Sequence, residues 1–162
     1  MYIFPVLLML HLIVVPFCTA GLVDRVIAYV DDHAITYSEF REKFENMRGV
    51  VPGISEEEAV NSMINTLLLL AQARKMRLEA ASDDDLVKEY VDMKIKSRIF
   101  INEDRTTEYY NNHKGEFEGK EYLVVRDIIE KYLLEVETNK QLKEHLAELR
   151  GKSNIVIQLR DK

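Results

Sequence analysis

The stretch VDRVIAYVDDHAITYSEFREKFENM, residues 23–47, decides how this chain begins to fold. Within it, the residues of VIAYV at 26–30 alternate in the period-two pattern of a β-strand. The aspartates at 31–32 tolerate the backbone angles of a tight turn, and a second, very short strand follows them. Thr36 then precedes Glu39 by three residues, which is the spacing of a capping box at a helix start. The stretch therefore predicts a strand, a turn, a strand and a helix, in that order.

Further local signals support the first helix and predict the four helices that follow it. Ile35 and Phe40 flank the first helix start at the positions of a hydrophobic staple. Ser55 stands three residues before Glu58, as in a second capping box, and the pattern returns at residues 82–85. Apolar residues recurring every three or four positions predict five helices, at about residues 37–48, 56–81, 83–101, 103–114 and 121–150.

The last helix is unusually long for a domain of this size. At 1.5 Å per residue it would span roughly 45 Å. A polar gap at residues 137–140 predicts that its middle is exposed or kinked, and Gly151 is expected to cap its end.

A second strand-like segment closes the chain. NIVIQL, residues 154–159, alternates like a strand, and a lone strand needs a partner. Residues 25–30 are the only good candidate. The sequence therefore predicts a mostly α fold, with about five helices including a long C-terminal one and a small β-sheet joining the N-terminal strands to the C-terminal strand. The same pairing between two copies would give a homodimer with swapped terminal elements, an alternative that the sequence leaves open.

The first twenty residues resemble a targeting segment. They contain no Asp, Glu, Lys or Arg, and an apolar run at 6–15 is followed by the small residues Cys18-Thr19-Ala20. This pattern is typical of a secretory signal peptide. We expect a signal peptide at 1–20, one domain at 21–162, and export to the periplasm of a Gram-negative bacterium. A retained N-terminal anchor is the competing interpretation.

Composition and spacing argue against several kinds of chemistry. The net charge of −6 disfavours nucleic acid as a partner, because phosphate binding needs a basic face. The only cysteine lies in the expected signal, so the exported chain would have no thiol. The glycines form no phosphate-binding loop, and the histidines lack the spacing of metal ligands. We therefore expect no enzymatic activity, no cofactor and no metal.

Apolar and aromatic side chains are better candidates for function. Methionine is flexible and polarizable, and it recurs on surfaces that bind varied apolar partners. The same residues would also fill the core of a small helical domain, and this interpretation stays open. The candidate peptide-binding residues are Met63, Leu67, Met76, Met93, Phe100, Tyr109 and Tyr110.

Several segments, in order, are similar to one known family. They are VIAYV at 26–30, ITYSEF at 35–40, the apolar helix at 63–73, NEDRTTEYYNNHKGEF at 102–117, and LKEHLAELRGKSNIVI at 142–157. Together they resemble the N-terminal domain of SurA-type periplasmic chaperones. The resemblance implies a fold like the SurA N-terminal domain and the trigger-factor C-terminal domain. It also implies ATP-independent binding of unfolded exported polypeptides, including outer-membrane proteins, in a cradle of helices.

One departure from that family limits what the resemblance implies. Family members commonly carry a parvulin prolyl-isomerase domain between the last two segments. Here only residues 118 to about 123 separate the segment at 102–117 from the long helix that leads into the last segment, which is too short for a catalytic domain. The expectation is thus a chaperone module without isomerase activity. The alternative is a structural or assembly subunit that oligomerises through its long helix and terminal strands.

Overall fold

The computed structural model describes residues 24–159, and it confirms the expected fold class. Five α-helices and a small antiparallel sheet make up the described part of the chain, with two short 3-10 helices at Lys96–Arg98 and Lys114–Phe117. In chain order the elements are β1 (Val26–Val30), β2 (His33–Thr36), α1 (Tyr37–Val50), α2 (Glu56–Lys75), α3 (Asp83–Lys94), α4 (Glu103–Asn112), α5 (Tyr122–Lys152) and β3 (Ile155–Ile157). The expected signal peptide at 1–20 lies outside the described residues.

The sheet joins the two ends of the described chain, as the sequence predicts. Its strand order is β2-β1-β3, and both neighbours run antiparallel to β1. Ala28 lies opposite Ile157, and Val30 lies opposite Ile155. The C-terminal strand therefore pairs with the N-terminal strand of the same chain.

The simple alternation predicted for β1 fails at one residue. Ile27 and Ala28 are adjacent, yet both are fully buried. The pairing with β2 is irregular between Val26 and Ala28, as in a β-bulge. A bulge adds a residue to one strand and re-aims its side chains. This is how Ile27 joins the core, although strict alternation would place it on the other face.

Asp31, at the β1–β2 turn, ties the turn to the third strand. Its backbone is left-handed, with φ of 52°, a conformation that Asp tolerates better than most residues. Its N–H donates to the Asn154 carbonyl at 2.8 Å, and its carboxylate accepts the Asn154 N–H at 2.8 Å. One residue thus fixes both the hairpin and the start of β3.

Replacing Asp31 with Ala is expected to lower the free energy of unfolding by about 1–2 kcal/mol. The loss has two sources: the side-chain acceptor disappears, and a left-handed backbone is costly for alanine. Asp31→Asn is the matched control, because asparagine keeps an acceptor and also tolerates this conformation. Urea denaturation of the two variants measures the difference. Equal stability would contradict this role for Asp31.

The predicted helix starts are present, and side chains cap those of α1 to α4, whereas α5 begins without a side-chain cap. Thr36 accepts a hydrogen bond from the Glu39 N–H at 3.3 Å, and Ser55 accepts from the Glu58 N–H at 3.1 Å. The Glu58 carboxylate in turn accepts a hydrogen bond from the Ser55 N–H at 2.8 Å, which completes a capping box. These hydrogen bonds from Ser55 lower the pKa of Glu58. Asn102 caps α4 by accepting from the Arg105 N–H.

Two predicted helix ends are wrong. We expected α2 to reach residue 81, but it ends at Lys75, because Arg77 takes a left-handed backbone with φ of 58°. We expected α3 to reach residue 101, but it ends at Lys94 and is followed by the first 3-10 helix. Apolar residues beyond both ends maintain a helical spacing, and this is why the pattern overestimates their length.

The predicted features of α5 are also corrected. The helix is continuous for 31 residues, and Gly151 lies inside it rather than at its cap. The polar gap is not simply exposed. The Glu137 side chain is partly buried, where its carboxylate lies 3.6 Å from Arg105 of α4 and accepts from Gln141 at 3.1 Å. One end of the gap is thus a polar contact between two helices, while Asn139 and Lys140 are exposed, as the sequence predicts.

The main hydrophobic core lies between the sheet and helices α1, α2, α3 and the second half of α5. Phe40, Ile64 and Ile35 are among its most deeply buried side chains. Phe40 and Ile35 hold the two staple positions that the sequence predicts. Arg150 of α5 donates to the side-chain carbonyls of Asn61 and Asn65, which anchors α5 to α2.

A second, smaller packing unit lies outside this core, and we call it the arm. It consists of residues 101–136: α4, the link that follows it, and the first half of α5. Its buried side chains are Ile101, Thr106, Val125 and Ile129, none of which belongs to the main core cluster. The Thr106 hydroxyl contacts the Tyr122 hydroxyl at 2.7 Å across the helix pair. The arm is therefore stabilised chiefly by the contact between α4 and α5.

Candidate functional site

The most exposed row of apolar side chains in the arm lies along the first half of α5. Val124, Ile128, Tyr132 and Val136 follow one another at four-residue spacing, and each is between 46% and 68% exposed. Residues four apart lie one above the other on a helix, so these four form a ridge of about 18 Å. We call these four residues the outer ridge. Leu123 is exposed beside its N-terminal end.

The ridge exists because this part of α5 is apolar on two sides. Val125 and Ile129 immediately follow Val124 and Ile128 in the sequence, and they are buried against α4. Successive helical residues point about 100° apart. One row is therefore covered by α4, while the neighbouring row is left facing solvent.

An aromatic cluster supports the ridge from within the arm. Tyr109 lies 5.4 Å from Tyr132 of the ridge and stacks on the His113 ring at 4.0 Å, measured between ring centroids. Tyr110 stacks on Phe117 at 5.4 Å, and its hydroxyl donates to the Lys120 carbonyl at 2.7 Å. These contacts fix the link between α4 and α5, so the ridge lies on a preorganised surface.

Tyr109 of this cluster remains neutral at physiological pH. Desolvation, and then the adjacent Tyr132 hydroxyl, raise the pKa of Tyr109 above its ordinary value. A neutral phenol offers a large apolar face together with one hydrogen-bond donor. The cluster and ridge thus present apolar surface edged by polar groups, a composition suited to binding extended polypeptide.

The structure distributes the seven sequence-predicted binding residues over different places. Met63 is only 6% exposed and belongs to the main core, and Leu67 is partly buried against that core. Tyr109 and Tyr110 lie together in the arm cluster. Met63 therefore serves as a packing residue, which is the interpretation that the sequence left open for the whole set.

The other three predicted residues are exposed. Phe100 is 82% exposed just before α4, and Met93 borders a shallow cleft on α3. Met76 is exposed at the end of α2. The cleft beside Met93 is otherwise lined mainly by charged residues, so it is a poor apolar site.

Sequence reasoning missed the outer ridge. The doublets Val124-Val125 and Ile128-Ile129 were a usable signal, because they place two apolar rows, about 100° apart, on the same helix. Periodicity places both rows on the helix, but it does not tell which row a neighbouring helix covers.

A second surface lies at the edge of the sheet, in a cleft of about 960 Å³ between β3 and α1. The Arg25 and Arg41 guanidinium groups lie 5.0 and 5.9 Å from the centre of the Tyr37 ring. Arg48 lies in the same way over Phe44, at 5.7 Å. The cleft is lined by Arg25, Tyr37, Arg41, Phe44, Glu45, Arg48, Glu56, Glu57, Ile157 and Leu159. We call it the sheet-edge cleft.

A polar group of residues joins α3 to α5. The Tyr90 hydroxyl lies 2.7 Å from the His145 Nε2, and Nδ1 of the same ring lies 3.8 Å from the Glu148 carboxylate. Burial, with a smaller effect of Glu148, raises the pKa of Tyr90. A phenol that stays protonated is a poor nucleophile. We therefore interpret the contact between Tyr90 and His145 as one that stabilises the packing of α3 against α5. His145 is here a partly buried packing residue.

Among residues 24–159, no cluster of three or more His, Cys, Asp or Glu side chains has a metal-binding arrangement. No helix in the same range is long and apolar enough to span a membrane. In comparisons with known proteins, no family model matches the chain, and no curated protein is significantly similar to it.

Proposed function

We propose that this protein is an ATP-independent periplasmic chaperone that holds unfolded segments of exported polypeptides, including outer-membrane proteins, without isomerase activity. The observation that carries the proposal is the outer ridge. Contiguous exposed apolar surface of this kind marks sites of interaction with other molecules. A helix face of four apolar side chains can bind an extended chain without a specific sequence, because apolar burial is non-directional.

Charge and sequence support the same proposal. The net charge of −6 favours solubility of a chaperone loaded with an apolar client. The export signal expected at residues 1–20 and the resemblance to SurA-type chaperones both indicate a periplasmic folding role.

The alternative is an assembly subunit, and the spacing of the ridge is the observation in its favour. Rows of side chains four residues apart are the ridges by which helices commonly pack against each other. A second copy of the arm, or a helix of another protein, would cover the ridge permanently. In that case, the ridge would not be available to unfolded clients.

Dilution of a urea-unfolded outer-membrane β-barrel protein into buffer tests the two functions. As a chaperone, the protein is expected to suppress light scattering by the client at a few-fold molar excess, without ATP. No suppression at that excess would contradict the proposal. Light scattering coupled to size exclusion gives the oligomeric state, and a stable oligomer that leaves client aggregation unchanged would favour the assembly subunit.

A further inference from the structure

The free edge of β3 has hydrogen-bonding groups that β1 does not use. The Gln158 N–H donates to the Ile27 carbonyl at 2.7 Å, and the Asn154 carbonyl accepts the Asp31 N–H at 2.8 Å. Backbone groups alternate in direction along an antiparallel strand. The N–H and C=O groups of Ile155 and Ile157 therefore point away from β1. They form an edge to which another extended chain can add.

This edge borders the sheet-edge cleft. Ile157 is part of the cleft lining, and Tyr37 lies at the opposite wall on α1. A strand added to β3 would thus direct alternate side chains into the cleft that contains the Tyr37 ring and the two guanidinium groups that lie against it. Main-chain hydrogen bonds would provide affinity, and these side-chain contacts would provide a preference for particular residues in the added strand.

Charge decides which side chain fits. Within residues 24–159, no ion pair involves Arg25 or Arg41. A guanidinium group stacked on an aromatic ring keeps its N–H edge available for a carboxylate. The cleft also contains three carboxylates: Glu45 pairs with Arg48 at 3.6 Å, and Glu56 and Glu57 lie in the first turn of α2, where the helix dipole favours a negative charge. The Arg41 guanidinium donates to the Tyr37 hydroxyl at 3.5 Å and is attracted by Glu45 and Glu56, but it forms no ion pair with either.

We propose that β3 accepts an extended segment of an unfolded polypeptide as an added strand, and that Arg25 and Arg41 hold an aspartate or glutamate side chain of that segment. This inference rests on the proposed chaperone function and adds a substrate preference to it. The outer ridge would bind apolar segments, while the sheet edge would select β-forming segments with an acidic residue. Strands of exported β-barrels, which alternate polar and apolar residues, have this character.

Two labelled peptides of about ten residues test the preference by fluorescence anisotropy. Both alternate threonine and valine, and they differ only in a central aspartate or asparagine. The aspartate peptide is expected to bind about fivefold more tightly, because an exposed ion pair contributes about 1 kcal/mol or less. Added salt should reduce this ratio of the two affinities, because it screens the ion pair. In R25Q/R41Q the two peptides should bind equally, while R98Q, which removes an exposed arginine outside the cleft, should keep the ratio.

Amide exchange locates the added strand. The Ile155 and Ile157 amides are expected to become protected when the aspartate peptide binds. Equal affinity of the two peptides for the wild-type protein, or no new protection at these amides, would overturn the inference. So would a peptide-free dimer in which these amides are already protected, because the edge would then be occupied by a second copy.

The outcomes separate this inference from the proposed function. If the protein suppresses client aggregation but shows no preference for the aspartate peptide, the chaperone proposal stands and the acidic-strand preference is wrong. If the peptide preference depends on Arg25 and Arg41 but aggregation is unaffected, the sheet-edge site stands and the chaperone proposal is wrong.

Discussion

Replacing Val124 and Ile128 with glutamine is expected to weaken client binding about thirtyfold. Both side chains lie on the outer ridge and are about two-thirds exposed, so a bound client would cover most of each. Burying that much of an apolar side chain contributes about 1 kcal/mol, and losing two such contacts gives about 2 kcal/mol. The measurement is the concentration of V124Q/I128Q needed to halve the aggregation of a urea-unfolded outer-membrane protein.

The control variant replaces two exposed apolar side chains outside the arm. Val50 and Val51 are exposed at the end of α1, away from the arm. V50Q/V51Q is expected to protect the client as well as the wild-type protein does. If both double variants lose activity equally, binding follows total exposed apolar surface and the ridge is not the site.

Stability and oligomeric state should accompany this comparison. The ridge side chains are outside the buried set of the arm, so V124Q/I128Q is expected to unfold at nearly the wild-type urea concentration. Glutamine is also a good helix former. An oligomer that the wild-type protein forms and V124Q/I128Q does not would favour the assembly subunit instead.

Replacing Phe40 with alanine is expected to lower the free energy of unfolding by about 3–5 kcal/mol. Phe40 is 1% exposed, and its ring stacks on Phe44 at 5.3 Å. It also forms the helix side of the staple with Ile35, which is fully buried at the end of β2. The substitution therefore leaves a cavity where α1, the sheet and α2 meet, and urea denaturation measures its cost.

Phe100→Ala makes the same chemical change at an exposed position. Phe100 is among the most exposed apolar residues of the described chain, so its loss is expected to change stability by less than about 0.5 kcal/mol. A similar loss for both variants would mean that Phe40 does not organise the core. Because a natural domain is stable by only about 5–15 kcal/mol, Phe40→Ala is also expected to unfold partly at physiological temperature.

Local signals in the sequence predicted most of the fold. The strand pattern at 26–30, the staple of Ile35 and Phe40, and the capping spacing at Ser55 all correspond to observed features. Such signals are reliable because a cap or a staple involves residues only a few positions apart. Helix ends were less predictable: α2 and α3 both end before their apolar pattern does, since the chain must turn to pack the next helix.

The candidate site was less accessible to sequence reasoning than the fold. Tyr109 and Tyr110, predicted as peptide-binding residues, lie together in the aromatic cluster of the arm, whereas Met63 is in the core and the outer ridge was missed. Residue type and spacing are the same for a buried row and an exposed row of a helix. Exposure depends on which neighbour covers the row, and that neighbour is distant in sequence.

The sequence by itself determined the elements, their order and the strand with which β3 pairs, because residues 25–30 were the only good candidate. That this pairing lies within one chain was decided by the tertiary structure. Tertiary structure alone decided three other features: the bulge that buries Ile27, the contact of Glu137 with Arg105, and the position of α4 over one apolar row of α5. Each of these depends on a contact between different elements, and local pattern carries no information about it. The exposed ridge and the sheet-edge cleft, on which the proposed functions rest, are consequences of such contacts.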